Sequence, residues 1–180
     1  MENEIGEVLV TEEEIRAKVK ELAKRISEDY KDKELLLVGI LKGAFMFLAD
    51  LSRELTIPVQ FDFIAVSSYG SVSKSSGVVR ILKDLEADIE GRHVLIVEDV
   101  IDTGLTLNYL IRNFKVRRPS TLEICALLSK PEVQRVSLNI KYLGFSIPAK
   151  FVVGYGLDFA EKYRNLKHVA TLNTKVATGR

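Results

Sequence analysis

Short, uninterrupted apolar runs recur in this chain, and each is followed by a turn and then a helical pattern. Leu35-Leu36-Leu37-Val38-Gly39-Ile40 runs into Lys42-Gly43, and Val94-Leu95-Ile96-Val97 runs into Glu98-Asp99. Thr121 to Leu128 is a third such segment. Runs this short and this continuous predict strands covered on both faces, because a half-solvated strand would alternate apolar and polar residues. Between them the period changes. Ala44 to Leu55 carries Phe45, Leu48 and Leu51 at helical spacing, and Gly104 opens a stretch with Leu107, Leu110, Ile111 and Phe114. Strands alternating with helices predict an α/β fold, a mainly parallel twisted sheet flanked by helices. In such sheets ligands bind beyond the carboxyl ends of the strands, where the strand order reverses.

The flanks add detail. Thr11 and Glu14 form a capping-box pattern. Ile15, Val19, Leu22, Ile26 and Tyr30 then predict an amphipathic helix of about five turns. Val59 to Val66 and Val78 to Leu82 read as strands around Ser67 to Gly77, which holds six serines and two glycines and predicts a mobile loop. Shorter strands are expected near Lys141-Tyr142-Leu143 and Phe151-Val152-Val153. With 180 residues, 47% hydrophobic and 28% charged, one globular domain is expected over 1–180. Lys plus Arg number 26 against 25 acids, a net charge of +1, so no global field draws the chain to nucleic acid or anionic lipid. The single cysteine, Cys125, allows no internal disulfide and lies in an apolar strand as inert core. The start, Met1-Glu2-Asn3-Glu4, lacks the form of a signal peptide, and no apolar stretch reaches membrane-spanning length. A cytoplasmic location is expected. His93 and His168 show no partner pattern, and the basic run Arg112, Lys115, Arg117, Arg118 reads as a solvated helix end.

The chemistry concentrates in Glu98-Asp99-Val100-Ile101-Asp102-Thr103-Gly104-Leu105-Thr106. A plain turn with Asp102 or Thr103 as N-cap explains one acid and one hydroxyl. It leaves two adjacent carboxylates at the end of a buried strand, where ionised groups need partners. A ligand site explains all of them. Thr103 and Thr106 supply hydroxyls, Gly104 lets the backbone come close, and the new helix presents free N–H groups: a pocket for a phosphate monoester. Glu98 and Asp99 can accept from a vicinal diol or hold a hard cation through water. Phosphate, diol and metal together describe a ribose 5-phosphate with a charged group at its 1-position. The segment is neither a Walker loop nor a Rossmann fingerprint.

The run from Val94 to Thr106 closely resembles the signature of phosphoribosyltransferases that use phosphoribosyl pyrophosphate (PRPP). The resemblance extends from about Val8 to Leu166 and narrows to the bacterial type of hypoxanthine-guanine phosphoribosyltransferases. It implies the type I phosphoribosyltransferase fold, with a core over about 35–130 and a small hood from the N-terminal segment and about 131–170. It implies an enzyme of purine salvage, a pentosyltransferase converting hypoxanthine or guanine with Mg²⁺ and PRPP to IMP or GMP and pyrophosphate. Leu41-Lys42-Gly43-Ala44 resembles that family's pyrophosphate loop, in which the Leu–Lys peptide bond is often cis. Backbone N–H groups of Lys42 and Gly43 would then face pyrophosphate, with Arg164 nearby; a solvated lysine in an ordinary turn is the plain alternative. Ser68 and Tyr69 match the Ser-Tyr pair that starts the family's flexible lid. Lys130 matches a lysine that donates to the purine 6-oxo group. In Phe151-Val152-Val153-Gly154-Tyr155-Gly156-Leu157-Asp158, the resemblance has Phe151 stack on the purine, Val152 meet it through its backbone, and Asp158 lie near the base and a second Mg²⁺. Plain core is the other reading of Phe151. The implied metal residues are thus Glu98, Asp99 and Asp158, and Thr103 to Thr106 hold the 5′-phosphate. Asp102 is the expected proton acceptor at purine N7. Lys167-His168-Val169 and the tail Asn173 to Arg180 depart from the family's usual ending. A homodimer or homotetramer is expected, with no membrane or nucleic-acid partner. Two further readings stay open: a xanthine-preferring relative, and a non-catalytic PRPP-sensing regulator on the same fold.

Overall fold

The computed structural model describes residues 4–69 and 78–173. Its main sheet is built from β2 (Leu35–Leu41), β3 (Val59–Tyr69), β4 (Val78–Lys83), β5 (His93–Ile101), β6 (Thr121–Ser129) and β7 (Tyr142–Ser146), in the order β4-β3-β2-β5-β6-β7. All neighbours are parallel except β3 and β4. Three helices among the described residues cover it: α1 (Glu12–Asp29), α2 (Phe45–Glu54) and α3 (Leu105–Val116). A second sheet, β1 (Ile5–Val10), β9 (Val169–Leu172) and β8 (Val152–Val153), is antiparallel and lies outside the first.

The continuous apolar runs have the expected cause. Leu35, Leu37, Leu95, Val97, Cys125 and Leu127 pack with α1 and α2. The residues between them, Leu36, Val38, Val94, Ile96, Ile124 and Ala126, pack with α3 on the other face. Side chains alternate across the sheet, and helices wait on both sides, so every position is apolar. Each of the Leu, Val and Ile residues contributes roughly 1.5–3 kcal/mol relative to exposure. Burial also pushes the Cys125 thiol far above its ordinary pKa, so it is inert core. At the start of α1 both halves of the Thr11–Glu14 capping box are made.

Three elements differ from the sequence expectation. Strand β5 does not stop at Val97; Glu98, Val100 and Ile101 are still paired to β6. Ser67, Ser68 and Tyr69, expected to open a loop, instead extend β3 and pair with Arg80, Val79 and Val78. The ladder to β4 gives their backbone partners that composition does not reveal. Residues 70–77, the rest of that loop, lie outside the described residues. The stretch expected to build the hood divides: β7 joins the core sheet beside β6, whereas β8 and β9 join β1. The atypical ending packs well up to Leu172, with Val169 and Ala170 fully buried. The tail 174–180 lies outside the described residues.

Strand order fixes where a ligand can enter. From β2 the sheet grows one way to β3 and the other way to β5. Their carboxyl ends therefore splay apart at the switch point. Lys42 and Gly43 follow β2, Asp102 to Gly104 follow β5, and Lys130 follows β6.

Candidate active site

Two clefts open at this switch point. One, of about 230 Å³, is bordered by Lys42, Gly43, Asp99, Asp102, Lys130, Phe151, Val152, Asp158 and Arg164. The other, of about 180 Å³, is bordered by Glu98, Asp102, Thr103, Gly104 and Thr106. Asp102 borders both. Residues distant in sequence, from the ends of β2, β5 and β6 and from the segment around β8, thus border one cleft. Ser68 and Tyr69 sit on β3 instead.

The second cleft is suited to an anion. Gly104, not Asp102 or Thr103, holds the N-cap position of α3, and no side chain caps this helix. Its φ of +78° is one that glycine adopts without strain. The Leu105 N–H has the Thr103 hydroxyl at 3.4 Å, a long contact. The first turn therefore keeps donors free for a ligand, at the positive end of the helix.

In the first cleft, Asp102 and Lys130 face each other, Oδ1 to Nζ at 2.7 Å. Lys130 is 8% exposed, and Asp102 lies half open to solvent. Asp102 thus stands as the open acceptor beside a buried donor. Phe151 is 54% exposed, which rules out plain core, and its ring meets Phe159 edge to face at 5.8 Å. Arg164 donates from Nη1 to the Gly156 carbonyl at 2.7 Å and from Nη2 to Asp158 Oδ1 at 2.9 Å. The Leu41–Lys42 peptide bond is cis. Gly43 leaves space that the Asp99 carboxylate fills; a side chain there would collide with it.

Glu98 and Asp99 form an acidic pair, Asp99 buried and Glu98 half-buried. The Asp99 N–H donates to Glu98 Oε1 at 3.1 Å, and the Val100 N–H to Asp99 Oδ1 at 2.7 Å. Burial raises the pKa of both, and for Glu98 the neighbouring Asp99 charge adds to it. The leading influences on the pair are burial, its own hydrogen bonds and neighbouring carboxylates, with no cation among them. An all-oxygen pair short of positive charge fits a hard cation such as Mg²⁺, which keeps several waters and needs one or two carboxylates. Asp158 fits less well. Its Oδ1 is taken by Arg164 and its Oδ2 by the Glu161 N–H at 2.9 Å. Among the described residues, no three His, Cys, Asp or Glu side chains converge on one metal position.

Sequence reasoning missed the contacts that hold this arrangement. Lys42 Nζ meets Glu161 Oε2 at 3.0 Å, and the Tyr155 hydroxyl donates to Asp50 Oδ2 at 2.7 Å. Both join residues more than a hundred positions apart, and no local pattern marks them.

A family profile described as "Phosphoribosyl transferase domain" matches residues 8–160. The hypoxanthine-guanine phosphoribosyltransferase of Mycobacterium avium is 52% identical over 179 residues, 96% of this chain and 88% of that protein. That of Bacillus subtilis is 46% identical over 176 residues, 98% of each chain. A solved hypoxanthine phosphoribosyltransferase from Staphylococcus aureus superposes with a TM-score of 0.94 at 45% identity, covering 98% of this chain and 96% of the other.

Proposed function

The chain belongs to the phosphoribosyl transferase family and is a purine-salvage pentosyltransferase, and on that premise we propose which groups of the switch-point clefts handle each part of its substrates. The reaction joins a 6-oxopurine, hypoxanthine or guanine, to the ribose 5-phosphate of PRPP, giving IMP or GMP and pyrophosphate. The observation that carries the assignment is the Asp102–Lys130 pair, an acceptor and a buried donor side by side at 2.7 Å. A 6-oxopurine presents O6 and N7 along one edge. With a proton on N7, that edge offers one acceptor and one donor, the complement of Lys130 and Asp102. Adenine offers an amino group at the 6-position, so donor would face donor at Lys130.

From this follow the roles. Phe151 offers its exposed ring as a stacking face for the purine, and Val152 meets it through the backbone. The 5′-phosphate sits on the first turn of α3, held by Thr103, Gly104, Leu105 and Thr106. Backbone N–H groups of Lys42 and Gly43, with Arg164, receive the pyrophosphate. As N9 attacks C1 and the C1–O bond breaks, positive charge develops on the ribose and negative charge on the leaving oxygen. The purine carries one proton too many once N9 has bonded, and Asp102 takes it from N7. Lys130 steadies the charge at O6. Mg²⁺, when bound, neutralises the leaving pyrophosphate; Glu98 and Asp99 are the residues that would hold it and orient the ribose hydroxyls. A cytoplasmic, homo-oligomeric enzyme goes with this reading. No helix among the described residues is long and apolar enough to cross a membrane.

The test is a spectrophotometric assay of purified protein with PRPP, Mg²⁺ and each of hypoxanthine, guanine, xanthine and adenine. We expect nucleotide from hypoxanthine or guanine and none from adenine. Turnover of adenine at a rate matching the oxopurines would contradict the Lys130–Asp102 assignment.

A further inference from the structure

The core contributes Lys42, Gly43 and Asp102 to the first cleft, whereas Asp158 and Arg164 come from the segment after β8. Their spacing depends on how that segment seats on the turn after β2. It seats without slack. Gly156, at φ +100°, lies against the Gly43 carbonyl oxygen, and any side chain on it would strike that oxygen. Gly43 in turn lies against the Asp99 carboxylate. Asp99, Gly43 and Gly156 thus form three layers in contact.

One buried side chain ties the outermost layer to the core. Tyr155, the residue before Gly156, donates from its hydroxyl to Asp50 Oδ2 at 2.7 Å. Asp50 lies on α2, which begins two residues after Gly43. The other end of Tyr155 is also fixed. Its N–H bonds the Leu166 carbonyl at 2.8 Å, and the Gly156 N–H bonds the Arg164 carbonyl at 2.9 Å. The second link across this seam, Lys42 to Glu161, joins two side chains each 66% exposed, where ion pairs contribute little. Tyr155 is 7% exposed. A groove of about 630 Å³ opens beside Tyr155 and Asp50, so dense packing does not substitute for their bond there. Burial, with the Asp50 carboxylate next in effect, pushes the Tyr155 hydroxyl well above its ordinary pKa, and it remains a donor at neutral pH.

The geometry points to Tyr155 and Asp50 as positioning residues for the pyrophosphate end of the site: their bond holds Gly156 on the Gly43 carbonyl and so fixes how the Lys42 and Gly43 N–H groups face the cleft. Neither residue touches substrate. The inference rests on the phosphoribosyl-transfer reading. It separates two ligands, because pyrophosphate uses the braced turn, whereas GMP is held by the first turn of α3 and the purine edge.

Calorimetry on the full chain, with pyrophosphate plus Mg²⁺ and separately with GMP, tests it. Tyr155→Phe and Asp50→Ala are expected to weaken pyrophosphate binding by about two- to tenfold, the range of one lost hydrogen bond. GMP affinity should stay within about twofold, as for independent sites. Asp50→Asn keeps an accepting oxygen and should bind pyrophosphate as the parent does. Unchanged pyrophosphate affinity in Tyr155→Phe, equal weakening of both ligands, or a loss in Asp50→Asn as large as in Asp50→Ala would each overturn the positioning role. A parent protein that binds neither ligand would overturn the transfer reading itself, and the positioning role with it.

Discussion

Asp102 borders both clefts, and its carboxylate does not cap α3, because Gly104 occupies that position. What it does hold is the ammonium of Lys130. Asp102→Asn keeps an accepting oxygen toward Lys130 and removes the basic carboxylate. We expect a folded protein, destabilised by about 1 kcal/mol at most, as for a half-exposed ion pair. GMP binding should be near normal. The chemical step, measured in a single turnover so that product release does not mask it, should slow by about 10²–10⁴-fold. A slowing of less than about tenfold would remove Asp102 as the base. At this scale the sequence was most legible where the residues are contiguous: Glu98 to Thr106 mark a candidate ligand site within nine positions. The Lys130 partner was not legible as a pair, since 28 positions separate the two residues and only the β5–β6 pairing brings them together. Tyr155, Asp50 and Glu161 left no local signal at all.

Elements were legible where a single face or two buried faces impose a period. Helix α1 follows from its cap and its apolar stripe, and β2, β5 and β6 from unbroken apolar runs. Strand β1 escaped notice because its pairing with β9 shifts register twice, so Ile5, Val8, Leu9 and Val10 show no clean alternation. The extension of β3 through Ser67 to Tyr69 was hidden by its serines, which composition assigns to a loop. The far end of α1 offers a test at this scale. Asp29 sits at the helix C-terminus, where a negative charge is unfavourable for the helix dipole. The Tyr142 hydroxyl, and then Lys141, hold its carboxylate below the ordinary range and tie α1 to β7. A carboxylate with a folded pKa lowered below its unfolded value, about 3.9, stabilises the fold above that pH, and the contribution is lost as pH falls through the folded pKa. Asp29→Asn should therefore be less stable than the parent at neutral pH, and the gap should close on acidification below about pH 4. Urea melts at a series of pH values would show it; a gap independent of pH would mean that the pair contributes nothing through its charge.

For the whole molecule, the alternation of strands and helices predicted a parallel sheet, yet strand order is not written in any local pattern. The order β4-β3-β2-β5-β6-β7 arises from how the helices cross over, and it is this order that makes the ends of β2 and β5 diverge. The reversal gathers the Lys42–Gly43 turn, an uncapped helix start and a donor–acceptor pair around one opening. The small β1-β9-β8 sheet then carries Val152, with Phe151 just before it, to the other side of that opening. In the proposed assignment one nucleotide spans both clefts, with its phosphate on α3 and its base between Phe151 and Lys130. A crystal structure of the protein with GMP measures this directly. We expect phosphate oxygens within hydrogen-bond distance of the backbone N–H groups of residues 104–106, O6 at Lys130 Nζ, and the purine face on Phe151. A nucleotide seated instead in the groove beside α1 and α2, or with its phosphate at the Lys42–Gly43 turn and its base toward α3, would contradict it.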